Sequence, residues 1–406
     1  MRLLQETNNK IRLMNITFLL RLWPVYGGGE TVTICLANEM IKRGWNVSVL
    51  YFKNNTRTDL PFIDPAVKAV QIPDIRCDEF TTRFPDADKV TGYLKEYIQE
   101  NDIHYLVNQW WPVEYIRGIR GRYKTKIITC LHQALYTPMI EGTGINGFLK
   151  KRCTSLYKFW KKRHCCRQVT KFLPHTDKYI FLSPAFQRQY EQFANYKNTN
   201  SQLGAIPNPL VFPNEIRPED LQSKEKTVLL VGRMVEIQKR ITRAIKIWSA
   251  IENDPRLDEW NFRIVGEGPD LAMYKQLAQA LRLKRISFEG FRNPQPDYKQ
   301  AAIFMMTSAF EGFPMTLVEA QQCGVVPVVM DSYLSLHDIV ETGYNGIIVS
   351  NEDLTGYVNK MKELMTDTSL REKLAMNGLH SCRRFCVEEI VNNWEELFND
   401  LSANRR

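Results

Sequence analysis

Two glutamates separated by seven residues, Glu311 and Glu319, frame the segment EGFPMTLVE. Gly312 and Pro314 between them forbid one continuous helix, because proline removes an N–H and glycine weakens helical structure. The spacing predicts a strand end, a loop, and a helix starting near Met315–Thr316. Glu311 then stands in the loop and Glu319 one turn into the helix. Both can face the crevice at the carboxyl ends of parallel strands, where ligands of such sheets bind. Free amides at a helix start hold anions. Upstream, Gly232-Arg233 ends an apolar run and Lys239 follows six residues later. Two cations beside a helix N-terminus suit a diphosphate, whose charge they neutralise as it leaves. A carboxylate suits neutral hydroxyls, which donate to it. Each of these residues alone is ordinary surface chemistry. Their combination within one half of the chain points to a site.

The elements that must position them follow from periodicity. Asn15–Leu20 is a short apolar strand, followed by a glycine loop at Gly27-Gly28-Gly29-Glu30. Thr31–Arg43 has helical period and ends at Gly44, and Asn46–Phe52 is the next strand. This unit begins an open parallel sheet. Tyr105–Asn108, Lys126–Leu131 and Lys178–Leu182 are further strands. Ile206-Pro207-Asn208-Pro209 reads as an extended linker. A second alternation of strands and helices runs from Thr227–Val231 to Val325–Met330, with closing helices after it. The predicted fold class is α/β, two doubly wound Rossmann-like domains facing a central cleft. Residues 1–207 form the first domain and 208–385 the second. Residues 386–406 carry a last amphipathic helix with Ile390, Val391, Trp394, Leu397 and Phe398, expected to cross back onto the first domain, the alternative being a cap on its own domain.

Composition bounds the function. The chain has 406 residues, 44% hydrophobic and 24% charged, which excludes disorder, collagen and coiled coil as overall descriptions. Nine cysteines, an odd number without a CxxC spacing, read as reduced thiols of a cytoplasmic protein. The six histidines are dispersed, so no metal site is expected. No apolar run approaches the roughly 18 residues of a membrane span. Residues 1–13 lack the pattern of a signal peptide, and Met14 directly precedes the first strand, leaving Met1 and Met14 as alternative starts.

The net charge is +9, and the segment Leu149–Phe172 holds nine Lys or Arg and no acid. It therefore accounts for the whole excess. Leu149, Cys153, Leu156 and Trp160 recur at helical spacing, with Lys150, Lys151, Arg152, Lys158, Lys161, Lys162 and Arg163 filling other positions. This predicts an interfacial helix for an anionic membrane surface or acceptor. The alternative is a helix that covers the core with Trp160 and solvates its lysines. Nucleic acid is not the expected partner, since no nucleic-acid module is visible.

The second half resembles the retaining family 4 glycosyltransferases of the GT-B fold. The resemblance rests on Glu311–Glu319, VGR at Val231–Arg233, QKR at Gln238–Arg240, IVGEGP at Ile264–Pro269, FEGF at Phe288–Phe291 and CGVVPVV at Cys323–Val329. These stand in the family's order over about residues 225–350. The resemblance implies that Arg233 and Lys239 bind a donor diphosphate and that Glu319 accepts from a nucleotide ribose. It implies that Glu311 contacts the donor sugar on the reacting side. Backbone at Phe313, Pro314, Met315, Thr316 and Leu317 would line sugar and phosphates, and Phe291 and Arg292 the base. Many members have glycine where Pro314 stands, and proline has no N–H to give.

In the first half, Gly28 and Gly29 resemble the family's GG-x-E loop, which meets the diphosphate across the cleft. His132, after the strand Lys126–Leu131, stands where the family often has a histidine near the donor sugar; a lone histidine there is otherwise structural. The implied reaction moves a sugar from a nucleoside diphosphate sugar to a hydroxyl of a glycan or lipid-linked glycan, with retention. UDP-sugars come first and GDP-sugars next. No cofactor or metal is expected, because protein cations and a helix start take the metal's place. The alternatives are a same-fold epimerase or phosphorylase, or a non-catalytic binding protein. The expected location is cytoplasmic, on the inner face of the membrane.

Overall fold

A computed structural model describes residues 13–24, 28–54, 62–73, 75, 86–136, 154–212 and 216–403. The first half contains β1 (Asn15–Leu19), β2 (Leu22–Trp23), α1 (Gly28–Lys42), β3 (Asn46–Tyr51), β4 (Lys53–Asn54), β5 (Lys68–Gln71), α2 (Ala87–Glu100), β6 (Tyr105–Asn108), α3 (Val113–Ile116), β7 (Lys126–Leu131), α4 (Thr154–Thr170), β8 (Lys178–Phe181), α5 (Pro184–Ala194) and β9 (Leu203–Ala205). The second contains β10 (Glu225–Val231), α6 (Glu236–Lys239), α7 (Ile241–Glu252), β11 (Asn261–Val265), α8 (Leu271–Ala280), β12 (Ile286–Phe288), α9 (Gln295–Gln300), β13 (Ala301–Met306), α10 (Met315–Gln322), β14 (Val326–Asp331), β15 (Ile347–Ser350), α11 (Leu354–Thr366), α12 (Thr368–Ser381) and α13 (Val387–Ala403).

The strands form two parallel sheets. One has seven strands in the order β5-β3-β1-β6-β7-β8-β9, the other six in the order β12-β11-β10-β13-β14-β15. The order reverses between β1 and β6 and between β10 and β13. Each reversal opens a crevice above the strands' carboxyl ends. Central strands are apolar throughout because helices cover both faces; all six residues of β13 are buried.

The last helix packs against the first sheet, not the second. Ile390, Val391, Trp394, Leu397 and Phe398 belong to one buried cluster with Ile16, Phe18 and Trp45. Phe398 stacks on Tyr105 at 4.2 Å, and the Tyr105 hydroxyl donates to the Phe398 carbonyl at 2.7 Å. Arg43 ties this helix down through Glu395 at 3.1 Å and the Glu388 carbonyl at 2.8 Å. Burying an aromatic of this size stabilises by roughly 1.5–3 kcal/mol. The halves also meet through Ser183, whose hydroxyl donates to the Asp338 carboxylate.

Two expectations change. Helix α1 opens at Gly28, three residues before Thr31, so Gly28 and Gly29 are its first helical residues and not a loop. The amides of a helix start need no internal acceptor, which lets glycine stand there. In α4, the stripe expected to be one face is divided. Leu149 and Cys153 lie outside the described residues, as do Lys150, Lys151 and Arg152. Leu156 and Trp160 are exposed together with Phe159, while Cys166 and Val169 face the core. Trp160 therefore does not cover the core.

Candidate active site

The loop after β13 carries Glu311 into a buried position. Its carboxylate accepts from Lys239 Nζ at 2.6 Å and from Gln238 Nε2 at 3.3 Å. Gln238 also receives the Arg233 guanidinium at 3.4 Å, and its carbonyl accepts from the Ala309 amide at 2.7 Å. So Gln238 joins the α6 loop to the loop of Glu311. Sequence reasoning quoted Gln238 within a motif but assigned it no role. Arg233 itself is exposed at the end of β10.

Glycines let these loops approach each other. A Cβ at Gly266 would lie 2.0 Å from the Gly232 carbonyl oxygen, and one at Gly268 would lie 2.5 Å from that of Met234. This close packing brings the VGR and IVGEGP loops together.

Helix α10 starts at Met315 after Pro314. The first amides, of Met315 and Thr316, have no intrahelical acceptor. The Leu317 amide donates to the Pro314 carbonyl at 3.0 Å. That N–H therefore already has an acceptor within the first turn. Phe313 is buried against Phe385 at 5.3 Å and supports the loop from behind.

Glu319 is buried one turn further and accepts from the Tyr298 hydroxyl at 3.1 Å. Burial pushes its pKa up to about 7, against the lowering effect of that hydrogen bond. Cys35 of α1 lies close enough for the Glu319 charge to reinforce the effect of burial, which lifts the thiol to about 11. Glu319 thus faces the first helix of the other half. Arg292 is tied to Asp297 at 3.0 Å and Glu289 at 2.9 Å, so its guanidinium is already partnered beside the exposed Phe291.

Across the cleft, His132 follows β7. Its ring tilts against Trp110, with centroids 5.3 Å apart. Both ring nitrogens are buried without a partner among the described residues. Burial lowers its pKa to about 4, so the imidazole is neutral at pH 7. The next residue closes the gap: a Cβ at Gly312 would lie 3.0 Å from Gln133 Cα. The Gly312–Gln133 approach therefore brings the loop of Glu311 and the start of α10 up to the segment of His132. Among the described residues no cluster of three or more His, Cys, Asp or Glu stands ready for a metal.

The geometry is a cleft between two Rossmann-like domains, with paired cations, helix starts and buried carboxylates. This is the GT-B architecture. The family Glycosyltransferase Family 4 matches residues 26–210, and Glycosyl transferases group 1 matches residues 211–380. The chain belongs to this family and is a glycosyltransferase.

Among curated relatives, the Campylobacter jejuni enzyme named GalNAc-alpha-(1->4)-GalNAc-alpha-(1->3)-diNAcBac-PP-undecaprenol alpha-1,4-N-acetyl-D-galactosaminyltransferase is 23% identical, over 96% of this chain and 99% of its own. Lipopolysaccharide 1,6-galactosyltransferase of Escherichia coli is 27% identical, over 86% and 89%. Exopolysaccharide phosphotransferase SCO2592 of Streptomyces coelicolor is 29% identical over 50% of this chain, which spans only 21% of that protein. The crystal structure of Anabaena HepE with UDP superposes with a TM-score of 0.68 at 17% identity, covering 95% of this chain and 100% of that one. That likeness concerns the fold.

Proposed function

We propose that this glycosyltransferase moves a sugar, with retention, from a UDP-sugar to a hydroxyl of a lipid-linked or growing cell-surface glycan. The observation that carries this reading is the convergence of Lys239, Gln238 and Glu311 beside the start of α10 and opposite His132. The cations Arg233 and Lys239 and the amides of Met315 and Thr316 hold the diphosphate and stabilise it as it departs. Gly28 and Gly29 add their helix start from the other side. Glu319, positioned by Tyr298, takes the ribose hydroxyls. Glu311 and the neutral His132 orient the sugar at the reacting face. In this reading the leaving phosphate itself takes the acceptor's proton, and no carboxylate pair among the described residues is assigned as separate acid and base. In this reading the cations of the protein do the work of a metal.

The Campylobacter relative acts on an undecaprenol-linked glycan by its name, which supports a lipid-linked acceptor here. Helix α4 supports a membrane-facing one. Leu156, Phe159 and Trp160 stand at positions i, i+3 and i+4, each more than half exposed. Lys158 and Arg163 are exposed beside them. Lys162 is partly spent, with Nζ 4.4 Å from the Phe193 ring. Apolar side chains ringed by cations suit an anionic bilayer surface. α4 leads through a short turn into β8, so its start points toward the cleft end of the sheet. No helix among the described residues is long and apolar enough to cross a membrane. The expected place is the cytoplasmic face.

The test is thermal stabilisation across UDP, GDP, ADP, CMP and their sugar conjugates, since a ligand of the folded state raises the melting temperature. A shift with UDP and UDP-sugars supports the donor class. No shift with any nucleotide overturns it. The anomeric configuration of the product, read by NMR, tests retention.

A further inference from the structure

Two tryptophans follow β6, and the structure treats them differently. Trp111 is buried, and its indole N–H donates to the Leu20 carbonyl at 2.7 Å. Trp110 is half-buried, and its indole N–H is inaccessible and has no partner among the described residues. Its ring lies against His132, whose two nitrogens are equally unpartnered, and its body packs on the first domain's core, as Met315 does from the second. Thr316 Oγ1, at the start of α10, is a further buried hydroxyl without a partner among the described residues. Buried polar atoms are ordinarily hydrogen-bonded, and an unmade bond is costly. Three of them belong to the Trp110–His132 contact, and Thr316 follows Met315, which packs on the same cluster as Trp110. The imidazole is neutral, and Arg21 meets Trp110 at its backbone carbonyl, 3.1 Å away, while the Lys239 ammonium is engaged by Glu311. An indole N–H only donates, and its ring offers an apolar face. That combination suits an oxygen of a neutral polyhydroxyl ring.

We propose that Trp110 is a sugar-contacting, specificity-determining residue, its indole N–H donating to a pyranose hydroxyl held between it and His132. This rests on the glycosyl-transfer reading. The sugar is either that of the donor or that of the acceptor, and the two are separable by experiment.

Trp110→Phe keeps an aromatic ring against His132 and removes only the N–H. Its melting temperature and its shift with UDP alone are expected to match wild type, which shows the fold and nucleotide site intact. Its kcat/KM for transfer from UDP-glucose, UDP-galactose or UDP-N-acetylhexosamine is expected to fall about 3- to 10-fold, the usual consequence of one lost neutral hydrogen bond. Trp110→Ala, which also removes the stacking, is expected to lose more. Slower hydrolysis of the donor without acceptor assigns the contact to the donor sugar. Unchanged hydrolysis with a raised KM for octyl glycoside acceptors assigns it to the acceptor. Trp110→Phe activity within twofold of wild type in both assays overturns the proposal and leaves the glycosyl-transfer reading standing. A wild-type protein that neither binds nor turns over any nucleotide sugar overturns both.

Discussion

The Lys239 ammonium stands 2.6 Å from the Glu311 carboxylate, and both side chains are largely buried, 14% and 8% exposed. The residues assigned to the diphosphate and to the sugar are thus in direct contact. In the proposed reading, a donor entering this site divides them, taking the ammonium to a phosphate oxygen and the carboxylate to a sugar hydroxyl.

Removing one member of this pair leaves the other buried and unpaired, which is more damaging than removing both. Lys239→Ala is expected to lower the melting temperature and to cut turnover by one or more orders of magnitude. Lys239→Ala/Glu311→Gln should recover part of the melting temperature and none of the turnover. A double variant less stable than the single one would contradict the pairing.

Glu319 has a pKa raised above its unfolded value, to about 7. Such a group contributes stability that is fully present below its unfolded pKa, near 4.3, and lost as pH rises through 7. Glu319→Gln should therefore flatten the decline of the melting temperature between pH 5 and 8. Nucleotide binding should respond in the opposite sense. Ribose hydroxyls donate to an ionised carboxylate, so UDP affinity should rise from pH 6 to 8 more steeply in wild type than in Glu319→Gln. Parallel slopes in calorimetric titrations would remove the ribose role.

His132 is shifted the other way, to about 4. Its neutral form is favoured in the fold, so its contribution to stability is present above about 6.5 and lost as pH falls toward 4. The pH–rate profile between 6 and 9 should then show no inflection owed to His132. His132→Ala should lower kcat by about 10- to 100-fold without changing the profile's shape. A wild-type inflection near 6.5 that vanishes in the variant would show a titrating imidazole instead.

Gly312 touches the backbone of Gln133 across the cleft, with 3.0 Å left for a Cβ. Backbone cannot rotate aside as a side chain can. Gly312→Ala should hold the domains apart at this point, leaving UDP binding near wild type and lowering kcat. Small-angle scattering checks the spacing, and unchanged kinetics would mean that this contact is not needed for turnover.

Leu156, Phe159 and Trp160 offer the membrane test. Replacing all three by serine should weaken sedimentation with vesicles containing phosphatidylglycerol by an order of magnitude or more, since each buried CH₂ contributes about 0.8 kcal/mol. Donor hydrolysis should remain unchanged. Loss of both would indicate a folding defect, and unchanged sedimentation would remove α4 from the membrane.

The local elements and the class of chemistry were legible in the residues themselves. Apolar runs located β6 and β7 to the residue, because a parallel strand buried on both faces must be apolar along its length. Gly312 and Pro314 marked the break between β13 and α10 for a covalent reason, and the break keeps Glu311 out of the helix. Only tertiary structure decided the rest. That Lys239 pairs with Glu311 depends on two loops 72 residues apart meeting above one sheet. Glu319 and His132 are shifted by burial, which spacing does not reveal. Trp110 and Trp111 are adjacent and identical in type, yet one hydrogen-bonds its indole within the fold and the other keeps a buried N–H without a partner among the described residues. Local rules assign a residue to its element. The surroundings that set its charge and its partners come from distant segments, and those exist only once the chain has folded.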